Sequence, residues 1–161
     1  NRTINWTGPQ YQNLSQVTNQ IKPSSTVGLA INTTITGTNL DINISMGFAN
    51  TTINSKLVVY IVEDDLFHTQ ANYSSNLYGG LSSIPNFEYD GVLRAVVSSN
   101  AWDVITVTGN QVQKNYKVAI PSNVSNICNA KVVAFLVDSN GRVLNVRESN
   151  TELNQTLELI K

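Results

Sequence analysis

Carboxylates are the side chains of this chain best supplied, in number and spacing, to do chemistry. Glu63, Asp64 and Asp65 follow one another at the end of an apolar run, Glu88 and Asp90 flank a tyrosine, and Asp103 follows a tryptophan. Oxygen donors of this kind suit calcium, and one reading is a calcium site at Glu63, Asp64 and Asp65, joined by Asp90 or Asp103 from a neighbouring loop. The spacing matches no calcium loop, and a solvated acidic strand end is the plainer alternative. Glu63, Asp65, Glu88 and Asp90 can also be paired on paper as the two acids of a glycosidase. Any acidic protein allows that pairing, so it does not discriminate.

Nucleophilic and transition-metal chemistry have less to work with. One histidine, His68, and one cysteine, Cys128, are too few for a zinc site built on imidazole or thiolate. His68 follows Phe67 at the start of a long connection, where a surface or packing role is expected rather than a catalytic one. Cys128 has no second thiol for a disulfide and no basic neighbour before Lys131 to lower its pKa, so a structural, packed role is expected. Asn-X-Ser/Thr triplets recur from Asn1 to Asn154, several of them inside predicted strands such as the one around Asn43, and the abundance of Asn and Thr accounts for them.

Two charges stand where a strand should be apolar. Glu63 continues the face of Leu57, Val59 and Ile61, and Arg94 continues a face with Val92 and Val96. An unpaired ion among apolar neighbours is costly, so the two are expected to meet as a structural ion pair, with the guanidinium fork on the carboxylate.

The elements that must position these groups follow from periodicity. Tyr11, Leu14, Val17 and Ile21 recur at a spacing of three to four between Pro9 and Pro23, which predicts a helix over 9–21 within an N-terminal segment of residues 1–25. From Thr26 the period changes to two. Val27 to Ile35 and Leu40 to Phe48 form a hairpin about Gly37-Thr-Asn39, and Leu57 to Val62 is apolar on both faces, as in a central strand. Short turns between these three favour a meander. Further strands are predicted at 92–98, 105–107, 116–120, 131–137 and 143–146; in the tail from Thr151, Leu153, Leu157 and Ile160 suit a helix and Leu157 with Leu159 an edge strand, the favoured reading. The sum is an all-β domain over 26–161: an antiparallel β-sandwich, jelly-roll or Greek-key, of about eight or nine strands.

Residues 64–90 break this economy, because a connection of about 25 residues is far longer than the usual four to six. Long loops on rigid scaffolds carry binding surfaces, so Tyr73, Tyr78, Gly79, Gly80 and Tyr89 form a candidate binding loop. Its ends should be pinned at Leu66-Phe67 and Phe87, leaving 74–83 facing a partner.

Composition narrows the function classes. The chain of 161 residues is long enough for one core, only 13% of its residues are charged, and ten basic residues balance eleven acidic ones. No basic stripe exists to displace counterions from a nucleic acid. The sequence has no apolar run of about 20 residues and no signal-peptide form. Beginning at Asn1 without a methionine, it is expected to be a processed product or a fragment.

In order, Asn1-Arg2, a Trp-containing helix, an alternating hairpin, Leu57-Val-Val-Tyr-Ile-Val-Glu63, Gln70, Val92-Leu-Arg94-Ala95-Val96, Val132-Val-Ala-Phe-Leu-Val-Asp138 and Val143-Leu-Asn145 resemble the C-terminal domain of the Bacteroidetes twenty-eight-kilodalton outer-membrane protein family. The resemblance implies a cell-envelope lipoprotein, outer-membrane associated and periplasmic or surface-exposed. It also implies an upstream thioredoxin-like domain, of which Asn1-Arg2 would be the remnant. Members often carry Asn-His before Val-Leu-Arg; this chain has Asp90-Gly91, so no role of that histidine transfers. The resemblance supplies no catalytic residues. The leading expectation is therefore a non-catalytic binding or assembly module with an unknown protein or glycan ligand and no cofactor unless calcium binds. Alternatives are a calcium-supported carbohydrate-binding module, with Trp102, Tyr73, Tyr78 and Tyr89 on a concave face, and a glycosidase-like jelly-roll enzyme.

Overall fold

A computed structural model describes residues 25–50, 54–74 and 76–158, together with Ser15. The helix expected over 9–21 lies, but for Ser15, outside the described residues. What is described is all-β: ten strands, all paired antiparallel.

Strands β1 (Val27–Thr36) and β2 (Asn39–Phe48) form the expected hairpin, in register from Val27 opposite Phe48 to Thr36 opposite Asn39. Gly37, at φ 61°, supplies the left-handed turn residue. The other edge of β2 pairs with β8 (Gln111–Ala119), which gives a three-stranded sheet. Strand β3 (Ser55–Glu63) does not join it, so the meander expected from the short turns is not formed. Instead β3 lies in a second sheet, with β9 (Ala130–Asp138) along one edge and β6 (Val92–Val96) and β7 (Asp103–Ile105) sharing the other. Strand β10 (Val143–Asn150) completes this five-stranded sheet on the far side of β9. The reason is hydrophobic: β3 and β9 together carry more apolar side chains than one face can bury, and pairing them places Leu57, Val59 and Ile61 against Leu136, Ala134 and Val132.

The two sheets share one core. Leu29 and Ile31 of β1, Leu40, Ile44 and Met46 of β2, Leu57 and Val59 of β3, and Val132 and Leu136 of β9 all fall in it with no exposed surface. Burying side chains of this size stabilises by about 1.5–3 kcal/mol each, before conformational entropy is counted.

Residues 64–90 are not a plain loop. They hold a second hairpin, β4 (Leu66–Ala71) and β5 (Ser83–Tyr89), which pair only with each other. Strand periodicity was masked there by Pro85 and by polar residues on both faces, as suits a two-stranded ribbon with no core beneath it. Among the described residues, the tail from Thr151 forms no regular strand, and Asn154 makes an isolated bridge to Asn32. Strand β8 begins at Gln111, earlier than its apolar residues suggested, because it needs only an inner face: Val112, Tyr116 and Val118 pack on the core while their neighbours are exposed.

Candidate functional site

The hairpin β4–β5 rises where β3 ends beside the start of β6, and the acidic residues divide at its root. Glu63 ends β3 pointing inward and is fully buried. Its carboxylate accepts the Arg94 Nε–H at 2.7 Å and the backbone N–H groups of Asn126 at 2.6 Å and Ser125 at 3.1 Å. Burial pushes this carboxyl up, but the two backbone bonds and Arg94 outweigh it, and the net position lies below the ordinary carboxylate range.

Arg94 reaches Glu63 because of a bulge. Ile61 faces Ala95 and Val62 faces Leu93, so Arg94 is the extra residue between them. The bulge turns its side chain to the inner face and changes the alternation about it. Val92 therefore pairs with Glu63 on the inner face, while Val96 pairs with Tyr60 on the outer one. The simple face drawn from Val92 to Val96 is corrected accordingly.

Asp64 turns the other way and accepts from the Lys131 ammonium at 2.5 Å and the Gly91 N–H at 2.7 Å. Lys131 and then Gly91 hold its carboxyl low. With Glu63 and Asp64 both committed to protein cations and backbone donors, the four acids proposed for calcium are not one ligand set. The group that the fold assembles is Asp65, Glu88 and Asp90, exposed, with carboxylate oxygens within 4.8 Å of one another. Asp65 has φ 57°, and its N–H donates to Asp90 Oδ1 at 3.2 Å. Like-charge repulsion from Asp90 raises the Glu88 carboxyl, and desolvation and then a hydrogen bond with Asp65 add to it.

Above this root, Phe87 and Tyr89 stack edge to face with centroids 5.0 Å apart, and the Tyr89 hydroxyl bonds Gln70. At the tip Asn72 acts as a clip. Its Nδ2 donates to Leu81 O at 2.7 Å and Leu77 O at 3.1 Å, and its Oδ1 accepts the Ser74 N–H. The clip holds a short helical turn in which Tyr78, Gly79 and Gly80 all take positive φ. Tyr73, Leu77, Tyr78 and Leu81 are left exposed on this tip, Tyr73 almost completely at 97%.

The aromatic platform imagined for a glycan is not assembled. Trp102 stacks on Lys56, 4.3 Å from the ammonium, beside the start of β3, while the hairpin leaves from its end. His68 is exposed on β4 opposite Phe87, and Cys128 is exposed in a helical turn before β9. The packed role expected of Cys128 is corrected: Asn126 Oδ1 caps its N–H in that turn, which leaves the side chain outside. A shallow depression of about 430 Å³ lies elsewhere, on the outer face of the three-stranded sheet among Asn32, Thr34, Asp41, Asn43, Asn115 and Lys117. Its amides are engaged: Asn43 Nδ2 donates to Asn115 Oδ1 at 2.5 Å, and Asn32 Oδ1 accepts the Gln155 N–H at 2.6 Å.

Sequence reasoning missed a second polar clasp. Tyr116 on β8 donates to Asp103 Oδ2 at 2.7 Å, with Lys114 at 3.8 Å from the same carboxylate, tying β8 to β7. Burial, then the bond to Asp103, pushes the phenol far above its ordinary value. A polar inner-face residue in an otherwise apolar alternation was the available signal.

Among solved structures, the chain is similar to HBP35 of Porphyromonas gingivalis, with a TM-score of 0.64 and 9% identity over 94% of this chain and 49% of that one. It thus spans about half the length of that protein. It is also similar to a domain of the outer membrane lipoprotein Omp28 from Porphyromonas gingivalis, with a TM-score of 0.54 and 18% identity over 84% of this chain and 95% of that domain. No curated protein sequence matches the chain. These likenesses show the fold, and the match to the family described as outer membrane protein Omp28 extends over residues 1–155. The chain belongs to the Omp28 family of outer membrane proteins.

Proposed function

We propose that this chain is a non-catalytic binding or assembly module of the cell envelope, and that the β4–β5 hairpin is its partner-facing element. The observation that carries the reading is the contrast within the hairpin. Its root is held by Asp64, Lys131 and Gly91, whereas its tip presents Tyr73, Leu77, Tyr78 and Leu81 to solvent. Exposed aromatic and aliphatic residues on a backbone held in place are the usual anchors of protein recognition. In the same reading the two sheets around one core are a β-sandwich of jelly-roll or Greek-key connection. The module belongs to a lipoprotein, in the periplasm or at the cell surface. The span of 49% of HBP35 is compatible with a further, thioredoxin-like domain upstream.

A photo-crosslinking residue placed at Tyr78 in the cell, with Asn115 as control site, tests the reading. Discrete adducts from position 78, lost when Tyr73, Leu77 and Leu81 are changed to Ser, support it. Equal adducts from both sites, or none from position 78, overturn it. Binding of purified protein to a glycan array, abolished by Trp102→Ala and not by the hairpin changes, would favour the carbohydrate-binding alternative.

A further inference from the structure

The unpaired N–H and C=O groups of a sheet edge template the addition of another strand. This fold covers several of its own edges. Along β1, the Leu29 and Ile31 N–H groups donate to tail side chains, and the Thr33 N–H donates to the Leu153 carbonyl at 3.3 Å. Along β10, the Leu144, Glu148 and Asn150 carbonyls accept from the side chains of Ser25, Gln155 and Thr33. On β6, the Arg94 carbonyl accepts from the Asn123 amide at 3.3 Å.

Strand β8 is different. Phe48 N–H donates to the Asn110 carbonyl and Ile120 N–H to the Thr38 carbonyl, both at 2.9 Å, so the backbone groups of the even-numbered residues between them face β2. Those of Gln111, Gln113, Asn115, Lys117 and Ala119 point the other way, and among the described residues they have no partner. No bulge or proline blunts this edge. Lysine is the usual guard of an open edge, but both lysines of β8 are engaged within the chain: Lys117 lies 3.3 Å from Asp41 and Lys114 3.8 Å from Asp103.

The strand is also complementary to itself. Set antiparallel to a second β8 about a two-fold axis at Asn115, it opposes Gln111 to Ala119, Val112 to Val118, Gln113 to Lys117 and Lys114 to Tyr116. Every residue of the strand is then paired and no two lysines meet, whereas an axis at Lys114 or Lys117 would oppose like charges. Asn32, Asn43 and Asn115 form one row across the sheet, in which Asn43 Nδ2 donates to Asn115 Oδ1. The Asn115 Nδ2 group and the second lone pair of its Oδ1 are left for the same amide of another copy.

We propose that the edge of β8 is the interface of a two-fold homodimer, in which a second copy of this chain pairs antiparallel about Asn115 and joins the two three-stranded sheets into one of six strands. Position 115 then lies against its own copy. A crosslinked adduct there has twice the mass of the chain, which sets it apart from a partner captured at position 78.

Single cysteines in a Cys128→Ser background read both the contact and its register. Asn115→Cys stands on the axis, where the Cα atoms of a hydrogen-bonded pair lie about 5.5 Å apart, within disulfide reach. Gln111→Cys stands about 27 Å from its own copy across the axis, the length of strand from 111 to 119, but meets Ala119→Cys of a second variant. Under mild oxidation, Asn115→Cys is expected to form a covalent dimer at least tenfold faster than Gln111→Cys alone, and Gln111→Cys mixed with Ala119→Cys to match it. No dimer through position 115, or equal rates for Asn115→Cys and Gln111→Cys, overturns the proposal. In sedimentation the unaltered chain is expected to double in mass as its concentration rises to the order of 0.1 mM, the range of a small interface. Asn115→Pro, which removes an N–H that β2 does not use, is expected to keep the native circular dichroism and stay a single copy. An unaltered chain of single-copy mass throughout, or an Asn115→Pro chain that dimerises as well as the native one, overturns the proposal and leaves the edge to a strand of another protein.

Discussion

Arg94 Nε lies 2.7 Å from Glu63 Oε2, and the carboxylate of that pair has no exposed surface. The pair closes the inner face of the five-stranded sheet where β3 ends and β6 begins, and the same carboxylate fastens the loop before β9 through Ser125 and Asn126.

Breaking the pair should be costly, because the remaining group keeps its burial and loses its partner. Glu63→Gln or Arg94→Met alone is expected to destabilise by about 3–5 kcal/mol, with a coupling that makes the double variant much less costly than the sum. Chemical denaturation of the four proteins in the cycle measures this. Additive effects would mean that the two groups do not interact.

Acid should act through the same region. Glu63 and Asp64 both titrate below their ordinary values of 4.5 and 3.8 in the folded chain, so the folded state binds fewer protons than the unfolded one. Their contribution is then complete above those ordinary values and is lost as pH falls through the lower, folded ones. The urea midpoint should fall steeply below about pH 4.5. The gap between the native chain and Glu63→Gln should narrow over that range; a constant gap down to pH 3 would exclude Glu63 as its source.

The edge of β1 is closed largely by side chains from the tail and from β10 instead of by a regular strand. Leu29 N–H donates to Glu158 Oε2 at 3.2 Å and Ile31 N–H to Gln155 Oε1 at 3.0 Å. Arg147 donates to the Leu29 carbonyl at 2.5 Å. Gln155→Ala should cost about 1–3 kcal/mol by leaving a buried N–H unpaired. Hydrogen exchange should show the loss first at Ile31. Unchanged protection there would mean that water replaces the amide without penalty.

Cys128 should react with a thiol reagent in the native chain at a rate close to that of the unfolded chain, since its side chain is exposed. Protection that lifts only on unfolding would contradict the exposed turn.

Much of the architecture was legible because it depends on local alternation. Val27 to Ile35 and Leu40 to Phe48 alternate large apolar with small or polar residues, and the run from Leu57 to Val62 is apolar on both faces, so β1, β2 and β3 followed from period alone. The hairpin β4–β5 was hidden because a ribbon without a core needs no apolar face, and so leaves no periodic trace.

The amino-acid order was sufficient for the all-β class, the position of the central strand, and the need for Glu63 and Arg94 to find partners, since burial energy and desolvation depend on residue type. Sheet membership, the bulge that turns Arg94 inward, the separation of Glu63 and Asp64 from Asp65, Glu88 and Asp90, and the closing of β1 by Gln155 and Glu158 were settled by folding. Each of these depends on which distant strand edge meets which. A strand carries two edges whose backbone donors and acceptors are the same for every sequence, so pairing is chosen by the packing of the whole core rather than by any local stretch.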